Sequence, residues 1–100
     1  MSLRSLKLTV SAEAESDLSY TLHYTLDEWG ARKMNAYAAR LNEGLRLIAL
    51  QPLLGKARED LFPGCLCHQI EEHMVLYEVA GDDLRIARFL HKRMNVRLHF

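Results

Sequence analysis

Residues 11–52 read SAEAESDLSYTLHYTLDEWGARKMNAYAARLNEGLRLIALQP, and this stretch decides the fold. Ser11 is a favourable helix N-cap, and Glu13, Glu15 and Asp17 place carboxylates in the first turns, where the helix dipole favours negative charge. Ala14, Leu18, Leu22, Leu26 and Trp29 then recur every three or four residues, so one stripe of this helix is apolar. Gly30 follows as a natural C-cap. A second stripe begins almost at once with Met34, Tyr37, Ala38, Leu41, Leu45, Ile48 and Ala49, and Pro52 ends it. Two helices joined so tightly must fold back as an antiparallel hairpin, and a hairpin with one apolar stripe per helix needs a further layer.

The flanking sequence supplies that layer. Before the hairpin, Leu6 to Val10 alternates apolar and polar residues and reads as a strand. After it, Leu53 to Gly64 reads as a loop, punctuated by Gly55, Pro63 and Gly64. Three extended runs follow, Cys65 to Glu71, Met74 to Val79 and Leu84 to Leu90. Glu72-His73 and Ala80 to Asp83 separate them as hairpin turns. The expected order is β-α-α-β-β-β: an α+β domain in which an N-terminal strand and an antiparallel helical hairpin pack on an antiparallel sheet. One domain covering residues 1–100 accommodates it, because a chain of 100 residues buries enough surface for one core.

A composition of 49% hydrophobic and 26% charged residues is that of an ordinary globule. No apolar run reaches the roughly 18 to 20 residues of a membrane span, and the N-terminus lacks a signal-peptide core, so the expected compartment is the cytoplasm. Cys65 and Cys67, two apart on an extended run, point to one face and read as reduced thiols. A metal site recruiting them with His68 and His73 is disfavoured, because structural zinc uses two well-separated ligand pairs. No cofactor is expected. The formal net charge is +0, yet Ser11 to Gly30 holds five acids and no Lys or Arg, whereas Leu84 to Phe100 holds five bases and no acid. Such a balance argues against avid non-specific nucleic-acid binding, and a basic C-terminal segment still offers a docking surface to an acidic partner.

Several segments, taken in order, resemble one known family. They are Leu8 to Leu18, Tyr24-Thr25 with Glu28-Trp29-Gly30, Leu61-Phe62-Pro63-Gly64, and above all Arg88-Phe89-Leu90-His91-Lys92-Arg93-Met94-Asn95. Together they are similar to the ParE toxins of the ParE/RelE superfamily. The resemblance implies the toxin of a type II toxin–antitoxin pair, acting in plasmid or chromosomal stabilisation and silenced by a small ParD-like antitoxin that folds along its surface. ParE-like members are associated with inhibition of DNA gyrase, and RelE-like members cut messenger RNA on the ribosome. Fold alone does not choose between the two activities. The chain carries Asn95 where an aspartate is common, and a shorter tail than some members, which weakens the expected hold on a target.

Cutting RNA without a metal requires a base, an acid and cations that converge on one phosphate. Here Met74 to Val79 carries Glu78 and no base, and the preceding strand offers Glu71 and His68. This is too acidic for a phosphate site, so the gyrase-inhibitor reading is favoured and no catalytic residue is expected. In the alternative, a ribosome-dependent endoribonuclease, Arg85, Arg88, His91 and His99 would carry the chemistry. A third reading is an inactive binding relative. For target binding the candidates are Arg85, Arg88, His91, Lys92, Arg93 and Arg97, the concentrated basic surface. Arg88 alternates with Ile86 and Leu84, which would alternatively place it under the helices, paired to an acid such as Glu78. Met94 is a candidate core plug, and Trp29 and Tyr37 fall on the apolar stripes, so core packing is expected of them. The antitoxin would add a strand at the first-strand edge near Leu3 and Leu6, or lay a helix in a groove beside the hairpin. No membrane partner and no sequence-specific nucleic-acid binding by the chain alone are expected.

Overall fold

Ser11 sits where a strand stops and a helix starts. The computed structural model describes residues 5–100, and in it β1 (Lys7–Val10) leads into α1 (Ala12–Trp29), with the Ser11 hydroxyl accepting from the Ala14 N–H. Leu3 lies outside the described residues. Gly30 alone separates α1 from α2 (Ala31–Leu50), and its φ of 89° is the left-handed geometry that reverses the chain between them. A 3-10 turn over Pro52–Leu54 follows, then β2 (Lys56–Ala57), β3 (Leu66–Ile70), β4 (His73–Ala80) and β5 (Asp83–His91). A second 3-10 turn spans Val96–His99.

The strands β2 to β5 form the antiparallel meander that the three extended runs imply, with one addition: β2 lies in the stretch read as loop. Two residues of ladder are too short to leave a period in the sequence. The sheet order is β1-β5-β4-β3-β2, and β1 runs parallel to β5, Lys7 opposite Asp83 and Val10 opposite Ile86. The sheet is therefore mixed rather than antiparallel throughout. A lone first strand carries no local sign of its partner, because its neighbour is more than 70 residues away.

Two clusters cover the two faces of the sheet. On the helical face, Ala14 of α1 and Leu41, Leu45 and Ile48 of α2 pack on Ile70, Val75, Tyr77, Leu84, Ile86 and Phe89. Gly44 lets α2 approach: a Cβ there would stand 2.6 to 2.8 Å from side-chain atoms of Ile70. Tyr77 is fully buried, and its hydroxyl donates to the Pro52 carbonyl at 2.5 Å and accepts the Gly55 N–H at 3.1 Å, tying the end of α2 to the sheet. On the opposite face Cys65, Cys67, Leu76 and Leu90 cluster with Leu61, Phe62 and Val96, and the Phe62 and Phe100 rings lie 5.4 Å apart. Both thiols are free and buried, and burial pushes the Cys65 thiol up to about 11.

One irregularity governs what the end of β5 presents. Leu76 faces Arg88 but Tyr77 faces Ile86, so Ala87 is an extra residue, a bulge. Beyond it the alternation reverses, and Phe89 rather than Arg88 joins Leu84 and Ile86 in the helical core. The bulge is held from α1: the Ser11 N–H donates to the Ile86 carbonyl at 2.9 Å, and its hydroxyl to the Ala87 carbonyl at 2.7 Å.

Candidate protein-docking site

Only the first turns of α1 feed the core, through Ala14 with Leu18 packed beside it. The rest of the helix lies beside α2 and the end of the sheet as the wall of an open groove. Tyr20 and Tyr24 stack on that wall with ring centroids 6.4 Å apart, and both are exposed. Trp29, expected in the core, is 62% exposed at the end of the helix, with the Lys33 ammonium 4.6 Å above its ring. Of its apolar stripe, Leu22 and Leu26 do not line the groove, and Trp29 joins Tyr20, Tyr24 and Thr25 on the wall instead of the core. Tyr37 does pack against the core, as its stripe implies. The groove has a volume of about 810 Å³, and α2, the β3–β4 turn and the end of β5 close its other side. Met94 lines it and is exposed rather than buried as a plug.

At the bottom of the groove is His73, which the sequence reading placed in a turn. The turn is instead Glu71-Glu72, with Glu71 at φ 53°, and His73 opens β4 directly opposite His91. Non-glycine residues adopt such a φ at a cost, so nothing in the composition marked this pair as the turn. The His73 ring is buried: its Nδ1 meets the Tyr37 hydroxyl, its Nε2 lies 3.2 Å from the Thr21 hydroxyl, and the His91 ring stands edge-on at 5.4 Å. Burial, and then the neighbouring His91, hold the His73 pKa below its ordinary value. Burial, then Glu71 and Glu72, push the Tyr37 hydroxyl up to about 12. The floor is thus neutral at pH 7, a polar base under aromatic walls. Acidification reverses this. The unfolded chain protonates His73 near its ordinary value of about 6.5, before the folded chain does, so stability falls as the pH drops through that region. We predict that the wild type loses melting temperature between pH 7 and pH 5 more steeply than His73→Gln. The difference is capped at the one-proton slope of about 1.4 kcal/mol per pH unit. Parallel curves for the two proteins would show that His73 does not titrate in that window.

Around the rim most charges are matched. Arg40 pairs with Glu71 at 3.0 Å, and Lys92 with Glu72 at 2.9 Å, which holds the Glu72 carboxyl below its usual range. Arg93 is exposed with no carboxylate partner among the described residues, and its N–H donates to His91 Nδ1 at 3.1 Å. Of the charged residues that line the groove, Asp17, Arg40 and Glu72 are each paired, whereas Lys33 has no carboxylate partner among the described residues.

The structure divides the six basic residues singled out for target binding. His91, Lys92 and Arg93 lie together where β5 ends at the groove. Arg85 is exposed, 3.9 Å from Glu78, and lines a separate hollow of about 460 Å³ with Thr9, Phe62 and Phe100. Arg97 projects from the final turn and reaches Asp60 at 3.4 Å. Arg88 is not presented: its partner is Asp17 of α1, at 2.7 and 2.8 Å, and the two side chains are only 19% and 16% exposed. The alternatives considered for Arg88 thus resolve to burial against an acid, but the acid is Asp17, while Glu78 faces Arg85. The four residues of the ribonuclease reading are also separated, for Arg85 lines the smaller hollow, His91 the groove, and Arg88 and His99 line neither.

No described helix is long and apolar enough to cross a membrane. Over residues 8–96 the chain matches the family described as the ParE toxin of the type II toxin–antitoxin system, parDE. Toxin ParE of Escherichia coli is 34% identical over 88 residues, covering 87% of this chain and 85% of that protein. Toxin ParE1 of Caulobacter vibrioides is 33% identical over 90 residues, covering 90% and 93%. Among solved structures, a chain of the chromosomal ParDE system of P. aeruginosa superposes with a TM-score of 0.73 at 18% identity, covering 87% of this chain and 96% of that one. A chain of the RelBE2 toxin–antitoxin complex of Mycobacterium tuberculosis gives 0.60 at 16% identity, covering 89% and 100%. Those two likenesses speak for the fold, two helices on a mixed sheet. The match along nearly the full length and the identity to curated relatives make this chain a member of the ParE toxin family of type II toxin–antitoxin systems.

Proposed function

We propose that this chain is a cytoplasmic inhibitor of DNA gyrase, not a nuclease, and that a ParD-like antitoxin neutralises it by laying a helix in the groove between α1 and the end of the sheet. The observation that carries the gyrase reading is that Arg85 and His91 line separate hollows while Arg88 is engaged by Asp17. A phosphate-cleaving site needs those groups within reach of one phosphate. An inhibitor needs an exposed surface instead, and His91, Lys92 and Arg93 supply one. The groove suits an amphipathic helix: Tyr20, Tyr24 and Trp29 offer aromatic anchors, and the Lys33 ammonium favours an acidic group on the guest. The relatives named Toxin ParE support the reading, as do structural neighbours taken from toxin–antitoxin systems. The outer edge of β1, which no described strand pairs with, favours strand addition as a second way for an antitoxin to bind.

The test is a gyrase supercoiling assay run beside an in vitro translation reaction with purified protein. The expected result is a block of supercoiling with messages intact. Cleaved transcripts together with unimpaired supercoiling would sink the proposal.

A further inference from the structure

Strand β1 accompanies β5 only from Asp83 to Ile86. Beyond that point no described strand lies beside the outer edge of β5, and polar groups on it are taken by side chains of α1 and of its N-cap. The Ala87 carbonyl accepts from the Ser11 hydroxyl at 2.7 Å, and the Phe89 N–H donates to Asp17 Oδ2 at 3.1 Å. Asp17 is thus a triple acceptor: Oδ2 takes Arg88 Nε and the Phe89 N–H, and Oδ1 takes Arg88 Nη2. Two positions further on, the chain leaves the sheet at His91, where the inner side is held by the Lys92 N–H on the Glu72 carbonyl at 2.9 Å.

We infer that Asp17 is the positioning residue of the basic tail: it ends the outer edge of β5 in place of a strand and so directs His91, Lys92 and Arg93 to the mouth of the groove. A carboxylate is suited to this because it accepts from a guanidinium and a backbone N–H together. Asparagine at the same place would have one acceptor oxygen and would turn its amide hydrogens toward Arg88 or the Phe89 N–H. The effect on inhibition rests on the gyrase reading, whereas the effect on the tail itself does not.

Amide hydrogen exchange on the full chain, wild type against Asp17→Asn, tests the inference. The expected result is exchange about tenfold or more faster at residues 88–94, as the loss of charge-assisted bonds implies, with Leu76 and Leu84 protected as before. Supercoiling inhibition should fall by about the same factor. Asp17→Glu, which keeps the charge at a longer reach, should give intermediate values in both measurements, and it decides the matter if the asparagine variant does not fold. Unchanged exchange at 88–94 would overturn the inference, and so would a uniform loss of protection over β3 to β5, the mark of a merely stabilising ion pair. If wild-type protein leaves gyrase untouched while the local exchange pattern appears, the gyrase reading fails and the positioning role stands.

Discussion

Replacing both Lys92 and Arg93 by glutamate is expected to weaken inhibition of gyrase by about a hundredfold, because reversing charges at an interface sets like against like and costs several kcal/mol. Stability should hardly change. Arg93 has no carboxylate partner among the described residues, and the Lys92–Glu72 pair is a surface contact with both side chains well exposed. Exposed pairs of this kind contribute little to stability. A supercoiling titration checks the first expectation and a thermal melt the second. An unaltered titration with K92E/R93E would move the target contact away from the end of β5, to Arg85 or to Arg97. Inhibition that declines only with melting temperature would mean that the tail is structural.

Tyr77→Ala is expected to cost about 3 to 5 kcal/mol, the range for deleting a large buried side chain. This is a large share of a domain stability of about 5 to 15 kcal/mol. Tyr77 is fully buried between the hairpin and the sheet, and its hydroxyl serves Pro52 and Gly55 at once. Tyr77→Phe keeps the ring and removes that bridge, at about 1 to 3 kcal/mol for the groups left unpaired. Urea titrations should show the midpoint falling in the order wild type, Phe, Ala, with an unchanged slope for the phenylalanine variant. Equal midpoints for wild type and Tyr77→Phe would mean that water replaces the hydroxyl and that the end of α2 is not tied through it.

How much of the site was legible depended on the distance between cause and effect. The N-cap at Ser11, the reversal at Gly30 and the buried positions Leu41, Leu45 and Ile48 follow from neighbours within a few residues, and each was readable. Trp29 was misread as core because periodicity reports which face of a helix is apolar, not what that face meets. The turn at Glu71-Glu72 carries no glycine, so the boundary slipped by one residue and hid His73. The best available clue was the pairing of two histidine-bearing strands, which becomes a clue only once the register is known.

The sequence by itself determined the order of elements, the helical hairpin, the meander and the concentration of bases near its end, because periodicity, capping and turn chemistry act over one or two turns of chain. The tertiary structure alone decided which bases face outward. The extra residue Ala87 reverses the alternation in β5, and Asp17, 71 residues from Arg88, then takes up that guanidinium and leaves Lys92 and Arg93 outward. A contact across that span leaves no period in the chain; it exists only because α1 packs against the end of β5 and brings a carboxylate to an unpaired edge.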